Sequence, residues 1–177
     1  MIVTLGTGIV SEVTDAAKAM GEKYVGSSDK WRKGHFSEPW HTFVSGLAGE
    51  FAFYIAMTHE HHDFPAPDTS VVRSGCTTEY DFKYRGKKVD VKTTSSHDGD
   101  LLIKKTSADK GLFDIAVFCS IDFSSFNPAD SIDVNIIGCE TAQKICEWMV
   151  VPGRGNWLNY EGSREALPVI TLLTEKK

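Results

Sequence analysis

The chain has 177 residues, of which 41% are hydrophobic and 24% charged, so it can bury one sizeable core without cross-links. No run approaches the roughly 20 apolar residues of a membrane span, and the N-terminus lacks a cationic stretch leading into an apolar one. We therefore expect one cytoplasmic domain over residues 1–177. The net charge of −5 argues mildly against tight non-specific DNA binding, which depends on phosphate neutralisation by Lys and Arg.

The first 39 residues predict an N-terminal extension with a helix over residues 11–20 and an irregular, Gly/Ser-rich link after it. Residues 2–11 look like a strand entering a dinucleotide loop. Ser11 replaces the third glycine, however, and no acid ends a second strand at the right distance, which disfavours nucleotide binding. Lys30, Arg32 and Lys33 are interspersed with aromatic residues, as at single-strand contacts, although a solvated loop is preferred.

Residues 43–57 predict an amphipathic helix with a charge inside its apolar stripe. At 100° per residue the stripe contains Phe43, Leu47, Phe51, Tyr54 and Met57. Glu50 projects from its middle, where a carboxylate needs a cation, a hydrogen-bonding network or a raised pKa. The alternative is that Glu50 reaches the helix edge or pairs with a structural Arg. Gly46, Ala48 and Gly49 allow another backbone to come close.

The run from His59 to Asp63 contains three histidines and could bind zinc. It follows directly on the helix, where the dipole also favours His, so a surface cluster is the preferred interpretation. The four cysteines, Cys76, Cys119, Cys139 and Cys146, show no CxxC spacing and lie mostly in apolar runs. They therefore predict unpaired, buried thiols.

Residues 79–92 predict a β-hairpin with one polar face, because apolar and polar residues alternate on both sides of Arg85-Gly86. A two-residue turn there places Asp81 opposite Asp90, and Glu79 opposite Lys92. Directly opposed carboxylates repel each other. The register therefore indicates a cation between the aspartates, and Mg²⁺ or Mn²⁺ fits carboxylate oxygens.

The remaining elements follow from apolar runs and breaks. They are a short strand over 69–73, a loop over 95–100, a helical turn over 107–110, a central strand over 112–121, a strand over 132–138, a helix over 140–149, a break over 152–155 and an apolar tail.

A helical Glu50, Asp81 late in one strand and Asp90-Val91-Lys92 in the next resemble the PD-(D/E)XK nuclease superfamily. Small phage-type and resolvase-like members are the nearest. Tyr80 stands where the name-giving Pro would be, and the second acid is Asp. The resemblance implies an α/β, restriction-endonuclease-like fold with an αβββαβ core over about residues 40–121. Residues 122–177 would append a strand and a helix.

The resemblance also implies a Mg²⁺- or Mn²⁺-dependent deoxyribonuclease. Asp81, Asp90 and the Val91 carbonyl would hold the metal, with Glu50 binding directly, through water or at a second ion. Lys92 would orient or deprotonate the attacking water. An exposed ion pair between Lys92 and Glu79 is the alternative.

DNA is the expected partner, and no association with a membrane is expected. The sequence leaves open whether the chain forms a homodimer. The compartment would be the host cytoplasm if a phage encodes the chain. Basic residues near the predicted site provide a candidate DNA-binding rim: Lys83, Arg85, Lys87, Lys88, Lys104 and Lys105, with Lys30, Arg32 and Lys33 upstream. The rival function is a nuclease-fold protein that binds nucleic acid or a partner protein without cutting.

Overall fold

The computed structural model describes residues 1–24, 40–59, 61–69, 80–95, 102–124, 126–147 and 157–159. The described helices are α1 (Thr7–Tyr24), α2 (His41–Thr58), α3 (Lys105–Asp109) and α4 (Ala142–Ile145). The strands are β1 (Ile2–Leu5), β2 (Phe82–Tyr84), β3 (Lys87–Thr94), β4 (Leu102–Lys104), β5 (Ile115–Ile121), β6 (Ile132–Thr141) and β7 (Trp157–Asn159). Four predicted elements lie wholly or mostly outside these residues. They are the strand at 69–73, the loop at 95–100, the break at 152–155 and the apolar tail.

A mixed five-stranded sheet in the order β1-β6-β5-β3-β2 forms the centre of the molecule. Strands β3 and β5 are parallel, and the other neighbours in this sheet are antiparallel. All seven residues of β5 are buried, because the strand has a neighbour on each side and is apolar throughout. The predicted central strand and the α/β class are confirmed. The αβββαβ core stays a prediction, since the strand expected before the hairpin lies largely outside the described residues.

The main sheet differs from the sequence prediction at β1 and at the C-terminal end of β6. The N-terminal segment is more than a helical extension, because β1 pairs with β6 and α1 begins at Thr7. The helix predicted over 140–149 is wrong at its start, because Glu140 and Thr141 complete β6. The Thr141 hydroxyl accepts the N–H of Lys144 and so starts α4 only after Thr141. The predicted helical turn at 107–110 corresponds to α3.

Helix α2 confirms the predicted helix and is buried more completely than a single stripe implies. The buried residues are Val44, Ser45, Leu47, Ala48, Gly49, Glu50, Phe51, Ala52, Phe53 and Met57. Phe53, which the predicted stripe omits, is fully buried against Phe64 and Phe82. The helix therefore lies between α1 and the sheet, and its small residues set how closely it approaches β3.

None of the helices in the described parts of the chain is long and apolar enough to cross a membrane.

Candidate active site

The hairpin of β2 and β3 turns through Arg85 and Gly86, as predicted. Their φ angles are 47° and 80°, which is the geometry of a two-residue turn that matches the twist of antiparallel strands. The paired residues are Tyr84 with Lys87, Lys83 with Lys88, and Phe82 with Val89. The predicted register is confirmed over these pairs. Glu79, expected opposite Lys92, lies outside the described residues.

Asp81 is held beside Asp90 by hydrogen bonds to the residues on either side of Asp90. Its main-chain N–H donates to the Val89 carbonyl at 2.9 Å. Its carboxylate Oδ2 accepts the main-chain N–H of Val91 at 2.7 Å. These two bonds bring the carboxyl groups of Asp81 and Asp90 within hydrogen-bonding reach of each other.

Asp90 is a buried carboxyl group whose ionised form is disfavoured. The residue is 7% exposed. Burial raises the pKa of Asp90 to about 6, and the charge of Asp81 acts in the same direction. The Lys92 ammonium, whose Nζ lies 2.6 Å from Oδ1 of Asp90, lowers this pKa without cancelling the rise. A further cation beside the aspartates would stabilise the ionised form.

The charges of three carboxylates act on Lys92. Burial lowers the pKa of Lys92, but the negative charges of Asp90, Asp81 and Glu50 outweigh burial and the net shift is upward. Its side chain is still 37% exposed, so the ammonium group has a route to solvent. In this arrangement Lys92 is protonated at neutral pH. It can therefore donate hydrogen bonds to a phosphate or a water, whereas acting as a base requires a lower pKa.

Glu50 is 6% exposed and close enough to β3 for its charge to act on Lys92. The adjacent Gly49 explains this proximity. A Cβ added to Gly49 would overlap Oγ1 of Thr93 and lie 3.3 Å from the Thr93 Cβ. The sequence predicted close approach of another backbone, whereas the atoms that approach Gly49 belong to the side chains of Thr93 and Val91. At Gly46 the prediction is wrong, because an added Cβ meets nothing within 4 Å.

Thr93 is the residue of this region that the sequence analysis missed. Its Oγ1 is buried and makes no hydrogen bond among the residues that the structure describes. The helical glycine was a visible signal of close packing. The strand residue that it meets depends on the register between α2 and β3, which no periodicity in either segment encodes.

The four residues predicted for catalysis, Glu50, Asp81, Asp90 and Lys92, therefore lie in one neighbourhood. Across the described ranges, no group of three or more His, Cys, Asp or Glu side chains is arranged to hold a metal ion. Two adjacent carboxylates nevertheless fit Mg²⁺, which commonly binds one or two carboxylates and keeps several waters. The oxygens of Asp81 and Asp90 are the hard donors that such an ion prefers.

The predicted DNA-binding residues that the structure describes lie on the hairpin and around the end of β4. Lys83 and Arg85 are exposed on the hairpin, while Lys87 and Lys88 are half-buried there. Lys104 is exposed at the end of β4, and Lys105 forms an ion pair with Asp109 at 3.1 Å. Lys30, Arg32 and Lys33 lie outside the described residues.

The histidines after α2 do not share one environment. His59 and His62 are exposed, whereas Nε2 of His61 is buried beside Tyr84. Among the cysteines, Cys119 and Cys139 are buried thiols, as predicted, and Cys146 is a half-buried thiol. Burial raises the pKa of both buried thiols to about 12. Cys76 lies outside the described residues.

No family model, curated protein or solved structure matches the chain.

Proposed function

We propose that the chain is a metal-dependent nuclease that hydrolyses the phosphodiester bonds of DNA. The observation that carries this proposal is the juxtaposition of Asp81 and Asp90 beside Lys92, with Glu50 close by. Three carboxylates around one ammonium leave excess negative charge in a largely buried place. A hard divalent cation would balance that charge and supply the electrostatics that phosphoryl transfer requires.

Asp81 and Asp90 would hold the ion, with the Val91 carbonyl and Glu50 as the further ligands that the PD-(D/E)XK resemblance implies. The ion would neutralise charge on the phosphoryl oxygens and make a bound water more acidic. The hydrogen bond from the Val91 N–H fixes one Asp81 oxygen, which restricts how its carboxylate can turn. The same strand therefore supplies Asp90 and also orients Asp81.

Lys92 would position the attacking water and hydrogen-bond a phosphoryl oxygen. Its ammonium now bonds to Asp90 at 2.6 Å. An ion bound at Asp90 would compete for that carboxylate, and the partly exposed lysine side chain could then turn towards the substrate. Since the carboxylates raise the pKa of Lys92, their neutralisation would also lower it towards the range useful for a base.

The test is incubation of the purified chain with linear, circular, single-stranded and branched DNA, and with RNA, in Mg²⁺, Mn²⁺ or chelator. We expect cleavage of at least one DNA form with either metal and none in chelator. The matched control is Asp15→Asn, which removes an exposed carboxylate on α1, a helix that carries none of the candidate site residues. A protein that binds DNA and Mn²⁺ but leaves every nucleic acid intact would be the non-cutting binder instead.

A further inference from the structure

Lys83 and Lys88 form a pair of like charges on the face of the hairpin that carries the candidate active site. Lys83 lies directly opposite Lys88. Lys88, Asp90 and Lys92 alternate along β3, so their side chains share one face. The two opposed lysines, named here the lysine rung, are therefore the next polar pair beyond Asp81 and Asp90.

The lysine rung is unfavourable for the isolated hairpin. Like charges directly opposite each other destabilise an antiparallel pair. Within the described residues, neither ammonium group forms a salt bridge. Lys83 is exposed, and the Lys88 Nζ lies 5.7 Å from the centre of the Tyr80 ring. An anion between the two ammonium groups would remove the repulsion.

The backbone under the lysine rung is firmly placed. The N–H of Lys88 donates to a carboxylate oxygen of Asp114 at 2.7 Å. The N–H of Asp114 donates back to the Lys88 carbonyl at 2.9 Å. Two hydrogen bonds therefore join this point of β3 to the start of β5. An anion held by the lysines would have a fixed position relative to Asp90.

Spacing along β3 identifies that anion. Lys88 and Asp90 are two residues apart, which is roughly 6.6 to 6.8 Å along a strand. This is comparable with the separation of neighbouring phosphates along one nucleic-acid strand. We propose that the lysine rung binds a single backbone phosphate next to the one at Asp90, and so positions the strand for cleavage. This inference rests on the proposed function for the role of Asp90, but binding at the rung can be measured without cleavage.

Edge protection is the competing explanation of these lysines. Strand β2 lies at the edge of the sheet, and charged side chains on edge strands discourage pairing with other chains. On that explanation, loss of either lysine promotes association of the protein and leaves nucleic-acid binding unchanged.

The experiment measures binding of a labelled single-stranded oligonucleotide by fluorescence anisotropy, in chelator and over a series of salt concentrations. The proteins are the wild type, Lys83→Gln, Lys88→Gln, the double variant and Lys144→Gln. Lys144 is a matched control because its side chain is 60% exposed on α4. An arm with inorganic phosphate at constant ionic strength separates a nucleic-acid contact from a small-anion site.

We expect the double variant to reduce the slope of log K against log salt by about 0.7, the value for one phosphate of a single strand. Because both lysines share that phosphate, the effects of the single variants should not add to twice this value. Lys144→Gln should match the wild type, and inorganic phosphate should not displace the oligonucleotide. An unchanged slope in the double variant, or displacement by inorganic phosphate, would overturn the inference.

A second arm applies if the chain cuts DNA. A neutral methylphosphonate at one of the two phosphates flanking the cut should slow the wild type, and should have no further effect on the double variant. Equal slowing of both proteins would also refute the rung. A smaller salt slope in the double variant, with no cleavage by the wild type, would reject the nuclease proposal and support phosphate binding at the lysine rung. Cleavage by the wild type, with an unchanged salt slope in the double variant, would support the nuclease proposal and reject phosphate binding at the lysine rung.

Discussion

Adding one methyl group at Gly49 should separate α2 from β3, and the same change at Gly46 should not. Both glycines lie inside α2, where replacement by Ala gains roughly 0.5 to 1 kcal/mol through helix propensity. At Gly46 the new Cβ meets no atom within 4 Å, so the full gain is expected. At Gly49 it overlaps Oγ1 of Thr93.

Overpacking of this kind costs typically about 1 to 3 kcal/mol. Since the helix-propensity gain is common to both variants, the stability difference between them should equal the overlap, about 1 to 3 kcal/mol in favour of Gly46→Ala. For a chain of this size each kcal/mol corresponds to roughly 2 to 4 °C in Tm. Urea unfolding of the two variants and the wild type, without metal, measures this difference.

A double-mutant cycle identifies the contact responsible. Thr93→Ala removes the overlapping oxygen, so Gly49→Ala should cost clearly less in that background than in the wild type. Gly49→Ala as stable as Gly46→Ala would refute the close contact. A penalty unaffected by Thr93→Ala would place its origin elsewhere in the core.

Three further predictions concern the titratable groups. Since the pKa of Asp90 rises from 3.8 to about 6 on folding, the folded state binds more protons between these values and stability should fall as pH rises through them. The free energy of unfolding should fall by about 3 kcal/mol by pH 7. The stability of Asp90→Asn should depend less on pH and should exceed that of the wild type at pH 7, as measured by unfolding curves. A variant less stable than the wild type at pH 7 would contradict this. Lys92→Ala should cleave DNA more slowly by orders of magnitude, and calorimetry should still detect Mn²⁺ binding, because the lysine acts on water and phosphate. Loss of Mn²⁺ binding would indicate a structural role for Lys92. The native protein is treated with a thiol-labelling reagent at pH 8 and analysed by mass spectrometry. We expect Cys119 and Cys139 to stay unmodified and Cys146 to be modified, because burial raises the pKa of the first two thiols to about 12. Rapid labelling of Cys119 would contradict its burial.

Local patterns predicted the hairpin and the central strand because each is decided within a few neighbouring residues. Arg85-Gly86 sets the turn, and the turn sets the register by counting. The apolar run ending at Ile121 leaves no polar face, which favours a strand buried on both sides. The same counting predicted that Asp81 lies near Asp90.

Patterns failed where tertiary contacts decide the outcome. Glu140 favours a helix over a strand by its intrinsic propensity, and it extends β6 together with Thr141 because β5 pairs with both residues there. Strand β1 is stabilised by pairing with β6, more than a hundred residues away in the chain. Opposite Asp90 the expected regular pairing is replaced by two other hydrogen bonds, one that the Asp81 N–H donates to Val89 and one that its carboxylate accepts from the Val91 N–H.

The most direct test of the central claim is the rate of DNA cleavage in Mg²⁺ or Mn²⁺ by the wild type, Asp90→Asn, Lys92→Ala and Asp15→Asn. Asp90 and Lys92 belong to the candidate active site, whereas Asp15 is an exposed carboxylate on α1, outside it. We predict metal-dependent cleavage by the wild type and Asp15→Asn, and loss by orders of magnitude in the other two variants. Cleavage that persists in Asp90→Asn and Lys92→Ala, or its absence from the folded wild type with every nucleic acid and metal, would contradict the account.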